Sequence, residues 1–128
     1  MEEVDKLKYR TLYVQTARAY VRDMQANLSK LLTGDDNADA VNVVHLASHS
    51  LASQSLLMGF STTGSTSFAI EKIFKAKMEG NLSFKVATLQ MIDSIVTKIA
   101  LSIDEIEQKG HELDLNDESK ELESILRL

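Results

Sequence analysis

The feature that most constrains this chain is an alternation. From Leu89, apolar residues return at Ile92, Val96, Ile99, Ile103 and Ile106, at spacings of three and four. That is the repeat of one helical face, kept for about five turns. Three earlier segments show the same repeat. Val14, Ala17, Val21, Met24, Leu28 and Leu31 lie in a helix predicted from about Asp5 to Leu32. Val41, Val44, Ser48, Leu51, Ser55 and Met58 lie in one from about Asp36 to Gly59. Ile70, Ile73, Phe74 and Met78 lie in one from about Thr66 to Glu79. No segment shows the period of two that a half-buried strand requires.

The punctuation agrees with the stripes. Thr33-Gly34-Asp35-Asp36-Asn37 offers a helix stop followed by a cap. Ser61-Thr62-Thr63-Gly64-Ser65 reads as the next connection, Gly80-Asn81 as the third stop, and Ser83 as the cap of the fourth helix. The fourth helix ends near Lys109-Gly110. A short fifth is expected from Asn116 or Asp117 to the terminus, with Leu122, Ile125 and Leu126 on one face. The chain has no Pro to interrupt these helices. The expected fold is all-α: an antiparallel up-down four-helix bundle with a short fifth C-terminal helix. The 128 residues fit one domain, its bundle spanning about 5–109 and its last helix about 116–128.

Charge and composition exclude several functions. A net charge of −5 without a basic stripe argues against nucleic acid. The absence of Cys removes disulfides and thiolate metal sites, and suits a reducing cytoplasm. Met1-Glu2-Glu3-Val4-Asp5 is neither a signal peptide nor a basic anchor. No uninterrupted apolar run approaches the ~18 residues that span a bilayer, so membrane insertion is not expected. No Gly-rich phosphate loop is present, and no cofactor is expected.

The candidate chemistry lies in the histidines. His111 follows Gly110 in a polar stretch and reads as an exposed loop residue. His45 and His49 stand four apart on the second helix and share a face. At ~100° per residue, His49 points roughly 130° from the centre of the apolar stripe, toward solvent, and His45 roughly 90°, on the flank. Ala52 and Ser53, one turn on, are small and are expected to leave the His49 ring uncovered. As a metal site the pair supplies only two ligands, without a clear third.

The run Ala47-Ser48-His49-Ser50-Leu51-Ala52-Ser53-Gln54-Ser55-Leu56-Leu57-Met58-Gly59-Phe60 resembles the signature of histidine-containing phosphotransfer domains. It is most similar to the form at the N-terminus of the chemotaxis kinase CheA. Tyr9 to Arg18 resembles the first helix of that family, and Ile70-Glu71-Lys72-Ile73-Phe74 with Glu79-Gly80 its third helix and stop. The similarity covers about residues 8 to 106 and favours a larger kinase as the parent protein. It implies a phosphorelay carrier with two partners, a kinase ATP-binding domain and a response-regulator receiver domain. His49 would accept the phosphoryl group from the first and pass it to an Asp of the second. Glu71 matches the family's Glu that orients the imidazole. The isolated domain would be monomeric and without catalysis of its own. The chemistry suits a neutral imidazole, whose phosphoramidate is labile enough to pass the group on.

The sequence departs from the family where the phosphoryl group would sit. Ala52 stands at the family's Lys, Ser53 at its Gly, and Phe68 at a position that is often His. Lys75, one turn from Glu71, is the candidate replacement cation. Lys72, Lys75 and Lys77 otherwise read as a solvated face able to meet an acidic partner. A module of this fold that docks a kinase or regulator without phosphotransfer is the alternative reading.

Overall fold

The alternation from Leu89 to Ile106 is the spine of the core. Leu89, Ile92, Val96, Ile99, Ile103 and Ile106 are all buried in one helix, Val86–Lys109. The computed structural model describes residues 3–127. Its elements are α1 (Glu3–Leu32), α2 (Ala38–Leu57), α3 (Ser61–Met78), α4 (Val86–Lys109) and α5 (Asn116–Leu126), with no strand among the described residues. The short connections turn successive helices back on one another, as a four-helix bundle requires. α1 packs on α2 and α4, α2 packs most extensively on α3, and α5 lies on α3. By length and composition α4 could cross a membrane, although charged and polar residues interrupt its apolar run. Its apolar stripe is fully used inside the bundle, where each such side chain contributes about 1.5–3 kcal/mol of burial.

The first two helices follow the sequence closely. Gly34, at φ +90°, ends α1, and Asn37 caps α2 by accepting from the Ala40 amide at 3.0 Å. α3 departs from expectation: it begins at Ser61, five residues early, so the supposed connection Ser61–Ser65 is helical. The physical reason has two parts. α2 closes in a Schellman motif, with Gly59 at φ +86°. The Phe60 amide donates to the Ser55 carbonyl at 2.8 Å and the Gly59 amide to Leu56 at 3.1 Å, so the chain reverses within three residues. The start of α3 is then capped from afar. Glu112, in the α4–α5 connection, accepts from the Thr62 amide at 3.1 Å, and from the Thr63 amide and hydroxyl, each at 2.7 Å. A carboxylate there also complements the helix dipole. Thr66 and Ser67 donate back to the Thr62 and Thr63 carbonyls at 2.7 and 2.8 Å, satisfying their hydroxyls inside the helix.

Three smaller expectations are corrected. Ser83 does not cap α4; Lys85 takes that position without a side-chain bond. Met78 and Leu126 end their stripes outside the core, 50% and 37% exposed. The interior of α5 is Leu122 and Ile125, with Leu115 just before it. Lys72 of α3 and Lys98 of α4 hold α5 from either side through Glu123 and Glu118, both at 3.3 Å.

Candidate functional site: an exposed histidine with a buried carboxylate

His49 and Glu71 are brought together by the α2–α3 hairpin. His49 lies eleven residues before Phe60 and Glu71 eleven after it. Antiparallel helices leaving one turn therefore set the two side by side. His49 Nδ1 and Glu71 Oε1 are 2.8 Å apart. The histidine side chain is 58% exposed and the glutamate side chain only 13%. An ionised carboxylate only accepts, so Nδ1–H donates and the lone pair resides on Nε2. Glu71 Oε2 is buried with no hydrogen-bond partner among the described residues, leaving the imidazole as the donor that offsets the buried carboxylate.

The other candidates occupy different surroundings. His45 is half-buried, and its Nδ1 is buried without a partner among the described residues. His111 is exposed, as its loop position implies. Ser53 is exposed beside His49. Ala52 is buried, 3% exposed, and leaves the His49 ring uncovered. On the helical wheel it falls between Leu56, which touches α3, and the core stripe, so α3 covers it. Lys75 is exposed on the Glu71 flank of α3 and makes no ion pair among the described residues. In the antiparallel register it stands across from His45, one turn beyond His49.

The supposed solvated lysine face is only partly so. Lys72 pairs with Glu123 and sits 5.0 Å from the Phe68 ring centroid. Lys77 pairs with Asp36 at 3.0 Å and sits 5.7 Å from the Phe84 ring centroid. Among the described residues, no group of three or more His, Asp or Glu side chains is arranged to hold a metal ion. A cavity of about 880 Å³ lies at one end of the bundle against Leu7, Arg10, Leu57 and Phe60. His49 is not in it. The imidazole projects from a helix surface, reachable by a macromolecule rather than enclosed around a small substrate.

No family model and no curated protein matches the sequence. A solved structure does match in shape: the phosphorylated P1 domain of CheA3 in complex with CheY6 from R. sphaeroides. The TM-score is 0.85 at 18% identity, over 94% of this chain and 98% of that one. The fold is that of a CheA P1 domain. Within the P1 fold the chain places His49 and Glu71 across one helix seam. Two contributors to that seam carried no signal in the sequence. Gly64 reads as part of a connection and Leu56 lies outside the apolar stripe of its helix, although both stand seven residues from a candidate site residue, two turns along the same faces.

Proposed function

We propose that this chain is a phosphorelay carrier in two-component or chemotaxis signalling, with His49 as the phosphoacceptor. One observation carries the reading: an exposed imidazole whose Nδ1 is held 2.8 Å from a largely buried carboxylate. In the proposed reaction the Nε2 lone pair attacks the γ-phosphorus of ATP held by a kinase domain. The Nε2–P bond forms, the bridging P–O bond breaks, and ADP leaves with its electron pair. Positive charge develops on the ring and Glu71 offsets it through the Nδ1–H bond. A carboxylate oxygen of a receiver Asp then attacks the phosphorus, the N–P bond breaks, and neutral His49 returns. The chain need only present the ring, because alignment and charge neutralisation come largely from the partners. Support for these partners is the fold shared with a phosphorylated P1 domain solved together with CheY6. The compartment proposed is the cytoplasm, and the form a monomer of one domain.

The experiment incubates the chain with a chemotaxis kinase core and labelled ATP, beside His49→Gln. Acid-labile label on the wild type that vanishes in the variant is the expected result. Label that persists in the variant sinks the assignment. A wild-type chain that binds the kinase but takes up no label is the non-transferring docking module, the reading that the absence of a Lys at Ala52 favours.

A further inference from the structure

Four of the five glycines have positive φ and sit at helix ends: Gly34, Gly59, Gly80 and Gly110. Gly64 is different. It lies inside α3 with ordinary helical backbone, is buried, and gains nothing from its conformational freedom. Glycine in a helix interior costs about 1 kcal/mol relative to alanine, so its presence needs another reason. The reason is α2. A Cβ on Gly64 would lie 2.7 Å from both Cγ and Cδ2 of Leu56 and 3.3 Å from the Leu56 backbone nitrogen. The leucine Cδ2 is a free end, but Cγ stands one bond from Cβ and cannot simply swing clear, whereas the backbone nitrogen at 3.3 Å needs to give by only a few tenths of an ångström. The two helices therefore approach at Gly64 as closely as a missing side chain permits.

This contact lies on the seam that holds His49 and Glu71. Leu56 is seven residues after His49 on α2, and Gly64 seven before Glu71 on α3. Seven residues are two helical turns, so each pair lies on one face of its helix. The pairs Leu56–Gly64 and His49–Glu71 are thus two rungs of one antiparallel ladder. Between them the seam holds Ala52 and Ser67, both small and buried. We propose that Gly64 is a positioning residue: by seating Leu56 against bare backbone it sets the α2–α3 spacing that keeps Glu71 within hydrogen-bonding reach of His49. The spacing matters because a hydrogen bond at 2.8 Å is lost with a displacement below 1 Å. The proposal takes the His49 phosphoacceptor reading as its context, but its geometry can be measured without a kinase.

The test uses the full chain with Gly64→Ala, Gly64→Val, Leu56→Ala and the double variant Leu56→Ala/Gly64→Ala. The first readout is the 15N resonances of the His49 ring, which report the tautomer and the Nδ1–H bond. The second is the initial rate of kinase-dependent labelling. Gly64→Ala is expected to reduce the Nδ1–H tautomer and slow labelling by about three- to tenfold, and Gly64→Val by more. Removing the Leu56 side chain leaves only the 3.3 Å backbone contact, so the double variant recovers most of both signals. Thermal melts separate this from destabilisation, since alanine by itself favours the helix. Wild-type tautomer and rate in Gly64→Ala and Gly64→Val overturn the proposal. So does a folded double variant that recovers nothing, including where Gly64→Ala alone fails to fold. If the wild type takes no label, the phosphoacceptor reading falls while the tautomer series still decides the role of Gly64.

Discussion

At the scale of single residues, the site is one exposed ring and one buried acid. Glu71→Gln keeps the shape but loses the charge that favours Nδ1–H and that, in the proposed reaction, would offset a phosphorylated ring. We expect labelling slower by about 10- to 100-fold, with circular dichroism and melting little changed. A rate equal to wild type would show that Glu71 is only a solvated helix carboxylate. Lys75 is the exposed cation nearest in register, without an ion partner among the described residues. If it offsets phosphoryl charge, Lys75→Ala slows labelling and changes the phosphohistidine lifetime by a few fold. Unchanged values in both would leave it a surface lysine. His49 and Glu71 were legible from a motif and its register. The burial of Ala52 was not legible, because a helical wheel drawn for α2 alone cannot show which flank a neighbouring helix covers.

At the scale of elements, the helices were legible where apolar periodicity is regular and invisible where polar residues hold them. α4 announced itself through six aliphatic residues in phase. The first turn of α3 did not, because Ser61-Thr62-Thr63-Gly64-Ser65 is the composition of a loop. Its helical state depends on Glu112, some 50 positions away, and on the tight end of α2, neither of which a local window contains. Glu112→Ala removes a carboxylate serving two amides and a hydroxyl. A loss of about 1–2 kcal/mol is expected, read as a lower midpoint in urea, with faster amide exchange at Thr62 and Thr63. Exchange that stays slow at those amides would mean that Glu112 is not what secures the start of α3.

At the scale of the whole molecule, the bundle buries some polar groups, and one of them makes stability depend on pH. Tyr13 is 4% exposed and its hydroxyl meets Ser55 Oγ at 2.7 Å. Burial pushes the phenol up from 10.0 to about 12. An unfolded chain releases this proton near pH 10, and the folded chain holds it to about 12. The stability tied to Tyr13 is therefore complete below pH 10 and lost progressively as pH rises through 12, by an amount on the order of 2 kcal/mol. Chemical denaturation at several alkaline pH values should show a shallower decline in Tyr13→Phe than in wild type. Identical slopes would remove Tyr13 as the cause. A separate tie joins the opposite edge of the bundle: Arg18 on α1 binds both oxygens of Glu107 and also Asp104 on α4. The pull of Arg18 holds the Glu107 carboxyl below its usual range. These charges are substantially exposed, so the tie sets the alignment of α1 and α4 more than it adds stability.

The cap that Glu112 places on α3 has a consequence for how the protein is made. A chain leaving the ribosome exposes α2 with His49 after α1, and α3 with Glu71 soon after. Until Glu112 follows, the Thr62 and Thr63 amides have only water, and the opening turn of α3 frays. A stretch synthesised about 50 residues later thus secures the helix that carries Glu71. A chain cut near Gly110 lacks Glu112 and displays His49 beside a less firmly seated Glu71.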